Sequence, residues 1–419
     1  MRRAYPHRKR PEETDLPSVL PEGEPAPRDG RLPESALAGL GTRPFGVYVH
    51  VPFCASRCGY CDFNTYTPTE LDGAASPQTW LEGLRAELAL AARVLGAPPR
   101  AETVFVGGGT PSLLGADGLG QVLDAVRGSF GLAEHAEVTT ESNPESTSPE
   151  FFAGLAEAGY TRVSLGMQST ARHVLAVLER AHTPGRPVAA AKEALAAGIE
   201  HVNLDLIYGT PGERDTDLRA SLDAVLEAGV DHVSAYSLIV EDGTAMARKV
   251  ARGQLPAPDE DVLADRYELI DAQLAAAGLH WYEVSNWAGT ESARCAHNLI
   301  YWRSGDWWGA GPGAHSHIGG TRFWNVKHPA RYAALLGEGR SPAAGREVLT
   351  GTQRRFERVL LELRCADGLA LDVLDERGVR EAQAAVAEGL LRIGDGVAVL
   401  TPQGRLLADG LATRLADAG

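Results

Sequence analysis

Gly46-Val-Tyr48-Val-His50-Val-Pro52-Phe53-Cys54-Ala-Ser-Arg-Cys58-Gly-Tyr60-Cys61 is the stretch on which the reading of this chain turns. The run from Gly46 to Val51 is apolar and β-branched, as a buried strand requires, and Pro52 ends it. Three cysteines then fall in one loop, separated by three residues and then by two. Soft thiolates suit iron–sulfur chemistry, and three of them can wrap one corner of a cubane while leaving the fourth iron open. A zinc site is the alternative, but zinc is usually closed by a fourth ligand nearby, a part His50 could take. The strand before the loop, the aromatic before the last cysteine and the glycine-rich strand ends downstream favour the cluster.

Outward from this loop the chain alternates short apolar runs with Ala/Leu/Glu-rich stretches of helical period. Strands are expected at 46–51, 103–106, 137–141, 162–166, 201–207 and 232–240. Helices are expected around 78–95, 116–129, 149–158, 187–198 and 215–229, with a further one at 259–277. Strand, helix, strand at this rhythm means parallel βαβ units with right-handed crossovers. Six of them make a three-quarter (βα)6 barrel over 45–285, an α/β fold. Residues 286–344, rich in Trp and Gly, read as a linking segment. Residues 345–419 read as a small C-terminal α/β domain of winged-helix type, with a strand pair turning at Pro402-Gln403-Gly404 before a last helix. The acidic residues around that helix, such as Asp409, favour a packing domain over a DNA-binding one.

Residues 1–44 are rich in Pro, Glu, Arg and Gly without hydrophobic period, and are expected to be disordered. The basic tip at Arg2, Arg3, Arg8, Lys9 and Arg10 reads as solvated. Across 419 residues the formal charge is −15, which opposes a nucleic-acid partner. Five cysteines, three of them clustered, indicate a metal site in a reducing compartment rather than a disulfide scaffold. No apolar run is long enough to span a bilayer and no secretory signal opens the chain, so a cytoplasmic protein is expected. Membrane contact is expected only through an acceptor.

The CxxxCxxC motif with its penultimate aromatic resembles the radical-SAM superfamily. The flanking YxHxPFC resembles the subgroup that holds oxygen-independent coproporphyrinogen dehydrogenases and the related HemW haem chaperones, from residue 45 to the C-terminus. The resemblance implies a [4Fe–4S] cluster on Cys54, Cys58 and Cys61, with S-adenosylmethionine on the open iron and an electron donor to reduce it. One electron would then cleave the sulfonium C5′–S bond, giving methionine and a deoxyadenosyl radical.

Ligands of parallel α/β barrels sit at the C-terminal strand ends, where this chain repeatedly places polar or glycine residues. The second strand ends in Gly107-Gly108-Gly109-Thr110, whose backbone can approach a ligand and offer it N–H and C=O groups. It resembles the family motif for the methionine amino group. Glu141, ending the third strand, can accept from ribose hydroxyls. Gln168 ends the fourth and can bridge sugar or carboxylate, and the Arg180 guanidinium suits a carboxylate. Asp205 interrupts an apolar strand, so a buried or ligand-facing acid is implied. By resemblance the cofactor contacts are Tyr48, Tyr60, Gly108, Gly109, Thr110, Glu141, Gln168, Arg180 and Asp205, with Tyr60 acting mainly through its backbone.

Two features bear on function within the subgroup. The dehydrogenases carry a further cysteine two residues after the third, and Phe63 stands there. His297-Asn298-Leu-Ile-Tyr301-Trp302, expected in a loop after the last strand, looks like the haem-chaperone HNxxYW signature. A neutral imidazole there can ligate haem, with aromatics to stack on the porphyrin. A satisfied histidine in a packing cluster is the alternative, and Cys295 stands close enough to join as a thiolate. A haem chaperone with a haem-acceptor protein as partner is therefore expected. A coproporphyrinogen III dehydrogenase and a radical-SAM tetrapyrrole methyltransferase or haem-opening enzyme are the other readings.

Overall fold

A computed structural model describes residues 23–71, 73 and 75–416. Strands β1 (Phe45–Val51), β2 (Ala101–Gly108), β3 (Leu132–Ser142), β4 (Arg162–Gln168), β5 (His201–Tyr208) and β6 (His232–Ser237) run parallel, each beside the next. The hairpin β7 (His280–Glu283) and β8 (Asn286–Ala288) extends the β6 side in antiparallel fashion. The helices between strands lie close to their expected bounds, for example Pro77–Leu95, Gly115–Phe130, Pro149–Ala158 and Asp215–Ala228. Ser76 and Ser148 accept from the backbone at the first turns of two of them, supplying the N-caps that start a helix.

The strands are polar inward and apolar outward, which is why they enclose a pocket. Tyr48, Glu141, Ser164, Asp205 and Ser234 face a central cavity. Their neighbours Val47, Val163, Leu165, Leu204 and Val233 are fully buried beneath the helices. Each such aliphatic side chain contributes roughly 1.5–3 kcal/mol by leaving water, so the outer face holds the fold and the inner face is free for chemistry.

Three expectations are corrected. Residues 286–344 do not merely link: β9 (Asp306–Ala310) pairs parallel with β1, and β10 (His315–Ile318), β11 (Thr321–Asn325) and β12 (Ala343–Val348) continue the same sheet antiparallel. The whole is a twelve-stranded, mostly parallel sheet whose β1–β6 form the partial barrel. The expected disorder of 1–44 fails for 23–44. There Glu24 bridges to Arg346 on β12, Ser341 donates to the Arg28 carbonyl, and Leu32 and Ala36 are buried. Edge pairing and tertiary burial order a segment whose composition gives no period. Residues 1–22, including the basic tip, lie outside the described residues.

The C-terminal unit has its own core, from Val359 to Leu415. Strands β13 (Leu369–Ala370), β14 (Leu391–Gly394) and β15 (Val397–Leu400) form an antiparallel sheet in the order β13-β15-β14. Helices Gly351–Glu362, Glu376–Ala387 and Ala408–Ala416 accompany it. Here the third correction falls. The hairpin turns at Asp395-Gly396, both at positive φ, while Pro402-Gln403-Gly404 opens a short helix capped by Thr401. Asp-Gly tolerates the left-handed conformation a two-residue hairpin needs, and proline at a helix's first position loses no hydrogen bond. No helix among the described residues is long and apolar enough to cross a membrane.

Candidate functional site

One cavity of about 670 Å³ runs from the C-terminal strand ends of the barrel down to their N-terminal ends. Cys54, Cys58, Cys61 and every candidate cofactor residue line it: Tyr48, Tyr60, Gly108, Gly109, Thr110, Glu141, Gln168, Arg180, Asp205 and His297.

At the mouth, the cysteine loop is pinned on both sides. Gly59 donates to the Leu178 carbonyl at 3.3 Å and its own carbonyl accepts from Met246 at 2.9 Å. Tyr60 packs beside Leu238 and Met246. All three thiols are free of disulfides, and burial pushes those of Cys54 and Cys61 up, the latter to about 11. Arg180 donates to the Cys58 sulfur at 3.4 Å and Thr110 to that of Cys54 at 3.7 Å. Donors aimed at sulfur favour the thiolate that a metal requires.

No group of three His, Cys, Asp or Glu among the described residues stands close enough to hold one metal ion. His50, the ligand a zinc site would need, has both ring nitrogens engaged, by the Tyr48 hydroxyl at 3.0 Å and the Asn64 carbonyl at 2.9 Å. The donor set is three soft sulfurs facing one cavity, which fits a cluster better than zinc.

The glycines after β2 serve differently from expectation. The N–H of Gly108 donates to Glu141 at 2.9 Å, that of Gly109 to the Val51 carbonyl and that of Thr110 to the Phe53 carbonyl, both at 2.7 Å. These N–H groups are committed within the protein, so only carbonyls remain for a ligand. A Cβ at Gly109 would lie 2.4 Å from the Phe53 carbonyl oxygen, and Gly108 adopts φ +111°. Only glycine lets β2 end this close beneath the cysteine loop. Glu141, half-buried in the pocket wall, has its carboxyl pushed up to about 7 by burial, against the pull of the Gly108 N–H.

Gln168 follows a bulge between β4 and β5 and holds φ +59°, a conformation costly for a residue with a side chain. The twist turns its amide into the pocket. Its Oε1 accepts from Arg180 Nε at 3.0 Å. A Cβ built on Gly166 would meet Gln168 Nε2 at 2.9 Å and Arg180 Nη2 at 3.0 Å. Neither nitrogen donates to any described residue. Two unused donors therefore converge over the bare α-carbon of Gly166, a cradle suited to a carboxylate. Asp205 has both oxygens occupied, by Ser164 at 2.8 Å and Asn203 at 2.7 Å.

The floor is built from the other strand ends and the helix Ala296–Trp302, a helix where a loop is expected from sequence. Glu137 accepts from the backbone N–H of Ala296 and of His297, both at 3.0 Å, and holds Arg162 at 2.9 Å. His297 is buried, with Thr103 at 2.7 Å from Nδ1 and Tyr301 at 2.7 Å from Nε2. Burial lowers its pKa to about 4, so the ring is neutral. Cys295 donates to Glu137 at 3.5 Å and burial pushes its thiol well up, so it is a thiol rather than the thiolate considered from sequence. Sequence reasoning missed Thr103, Glu137, Arg162 and His182. The last stands two residues after Arg180, but nothing local in the sequence marks its role.

A parallel partial barrel, thiols in the loop after β1 and a donor cradle at the strand ends define a class, and residues 48–225 match the Radical SAM superfamily. The chain is 60% identical over 379 residues to the Heme chaperone HemW of Mycobacterium tuberculosis (strain ATCC 25618 / H37Rv), spanning 90% of this chain and 96% of that one. It is 32% identical over 374 residues to the Heme chaperone HemW of Bacillus subtilis (strain 168), spanning 87% and 97%. The chain belongs to the HemW family of the radical SAM superfamily. Its fold is shared with Escherichia coli coproporphyrinogen III oxidase (HemN), a radical SAM enzyme, at TM-score 0.79 and 23% identity over 93% of this chain and 94% of that one.

Proposed function

We propose that this chain is a haem chaperone that carries a [4Fe–4S] cluster and S-adenosylmethionine at the barrel mouth and passes haem to an acceptor protein. The observation that carries the reading is a single cavity with three thiols at its mouth and the HNxxYW histidine at its floor. Cys54, Cys58 and Cys61 hold the cluster. The carbonyls after β2 face the cofactor's ammonium, Gln168 and Arg180 its carboxylate, and Glu141 its ribose. When bound and reduced by an electron donor, the pair supplies one-electron cleavage of the sulfonium. The protein's part is to orient the cofactor and to exclude water from the pocket.

His297 ligates haem as a neutral imidazole, with Tyr48, Phe105 and Tyr301 around it. To do so it exchanges one of its two hydrogen bonds for iron. The exposed Phe63 at the rim, where the dehydrogenases carry a cysteine, supports the chaperone reading over oxidation of a porphyrinogen.

Anaerobic titration of haem into the cluster-reconstituted chain tests this, with His297→Ala beside it. Saturable binding near one haem per chain that fails in the variant supports the proposal. No haem binding, together with oxidation of coproporphyrinogen III, overturns it in favour of the dehydrogenase.

A further inference from the structure

His182 is used by none of the roles above. It stands two residues after Arg180, where Glu179 at φ +55° ends the helix Arg172–Val177 and releases the chain toward the pocket. Its Nε2 lies 3.0 Å from Gln168 Oε1, the same oxygen that receives Arg180 Nε. Arginine can only donate, so the atom it faces must be the amide oxygen and the outer nitrogen must be Nε2. An oxygen so placed can only accept from His182, which fixes the imidazole as the Nε2–H tautomer. The other ring nitrogen, Nδ1, is buried without a hydrogen-bond partner among the described residues. This histidine is therefore held for one nitrogen alone.

We propose that His182 is a positioning residue that locks the Gln168 amide with its oxygen held and its NH2 presented to the cofactor pocket. This rests on the reading that the pocket takes S-adenosylmethionine. Gln168 needs such a lock for two reasons. Its backbone is in a left-handed conformation that costs free energy unless its surroundings over-determine it. Its other tether, Arg180, is shared with the Cys58 sulfur, so Arg180 alone leaves the amide on one flexible arm. A second donor saturates Oε1 and leaves rotation of the amide with no acceptor to gain. Burial and the Arg180 charge lower the His182 pKa to about 4, so the lock adds no charge to the cradle.

The test is titration of S-adenosylmethionine into the full-length, cluster-reconstituted chain with iron content measured for each variant. His182→Ala is expected to bind about tenfold more weakly at unchanged iron, the loss of one hydrogen bond. His182→Gln, whose amide nitrogen falls near the Nε2 position, is expected to restore most of that loss. In a Gln168→Ala background, His182→Ala is expected to cost nothing further, since the effect passes through Gln168. Unchanged affinity in His182→Ala overturns the proposal, as does an equal loss in both backgrounds. Nitrogen-15 NMR of the cofactor-free chain reads the same device independently of binding. A bare Nδ1 with Nε2–H is expected, and an Nδ1–H tautomer overturns the lock. A wild type with full iron that binds no S-adenosylmethionine overturns the cofactor reading itself, whatever tautomer His182 holds.

Discussion

The two ends of the barrel cavity are made from the same six strands and are built on opposite rules. At the mouth, donors are left over: Gln168 Nε2 and Arg180 Nη2 converge over Gly166 with no acceptor among the described residues, and the backbone is strained at Gln168. At the floor, polar groups are mostly closed on one another. Glu137 gathers Arg162 and the Ala296–Trp302 helix, and both nitrogens of His297 are engaged. Arg162 Nη1 is an exception, buried without a partner among the described residues. Donors left unsatisfied within the protein are what the proposed cofactor site at the mouth requires, whereas the closed network of the floor braces the barrel. The contrast separates donors left open at the mouth from a floor that is closed on itself, where His297 must give up a hydrogen bond before it can take haem.

The largest effect expected at the mouth is all-or-none. Replacing Cys54, Cys58 or Cys61 by Ala removes the iron and the broad visible absorbance of the reconstituted chain, while the thermal midpoint of the metal-free chain stays near wild type. Iron retained in all three variants sinks the cluster assignment.

At the floor the largest effect is on stability. Glu137→Ala leaves the Arg162 guanidinium, 2% exposed, without its carboxylate. It is expected to cost about 3–5 kcal/mol in urea unfolding, the usual penalty of breaking a buried pair. A loss under 1 kcal/mol puts the floor's role as a structural plug in doubt.

Glu141 sharpens the comparison through pH. Its folded carboxyl is raised to about 7 from an ordinary 4.5 by burial. The folded chain therefore binds this proton more tightly than the unfolded one, and the stabilisation is complete below pH 4.5 and lost as pH rises through about 7. Glu141→Gln is expected to remove that loss. The metal-free variant should be more stable than wild type at pH 8, by up to about 3 kcal/mol, and equal to it near pH 4.5. Equal stability at both pH values contradicts a desolvated carboxylate at the mouth.

The smallest effect is expected from Thr103→Val. It strips the partner from His297 Nδ1 and should cost about 1 kcal/mol of stability while leaving haem affinity unchanged or tighter, since one hydrogen bond to the ring is already gone. Weaker haem binding would mean that Thr103 orients the ring for iron.

The mouth was legible in the sequence and the floor was not, for a physical reason. Cys54, Cys58 and Cys61 lie in one loop, and Gly108, Glu141 and Gln168 each end a strand whose period announces it, so local pattern carries their placement. Glu137 meets Ala296 across 159 positions and Thr103 meets His297 across 194, contacts no window of sequence displays. The HNxxYW motif is visible in the sequence, but the helix that carries it is not. A seven-residue helix holds too few turns to show a period, and this one starts because Glu137, from another strand, receives its first N–H groups. Gly108, Gly109 and Thr110 at the end of β2 line the pocket, but their N–H groups are spent on Glu141, Val51 and Phe53, which no local pattern reveals. His182 was legible only once Gln168 was known to turn inward at a bulge.

The most direct test of the account is a crossed titration, with S-adenosylmethionine and haem each titrated into reconstituted wild type, Arg180→Ala and His297→Ala. The account predicts a double dissociation. Arg180→Ala should lose roughly ten- to a hundredfold in S-adenosylmethionine affinity, the worth of a charge-assisted hydrogen bond, and keep haem, while His297→Ala should lose haem and keep S-adenosylmethionine. If either variant loses both ligands, or neither does, the division of the cavity into a cofactor mouth and a haem floor is contradicted.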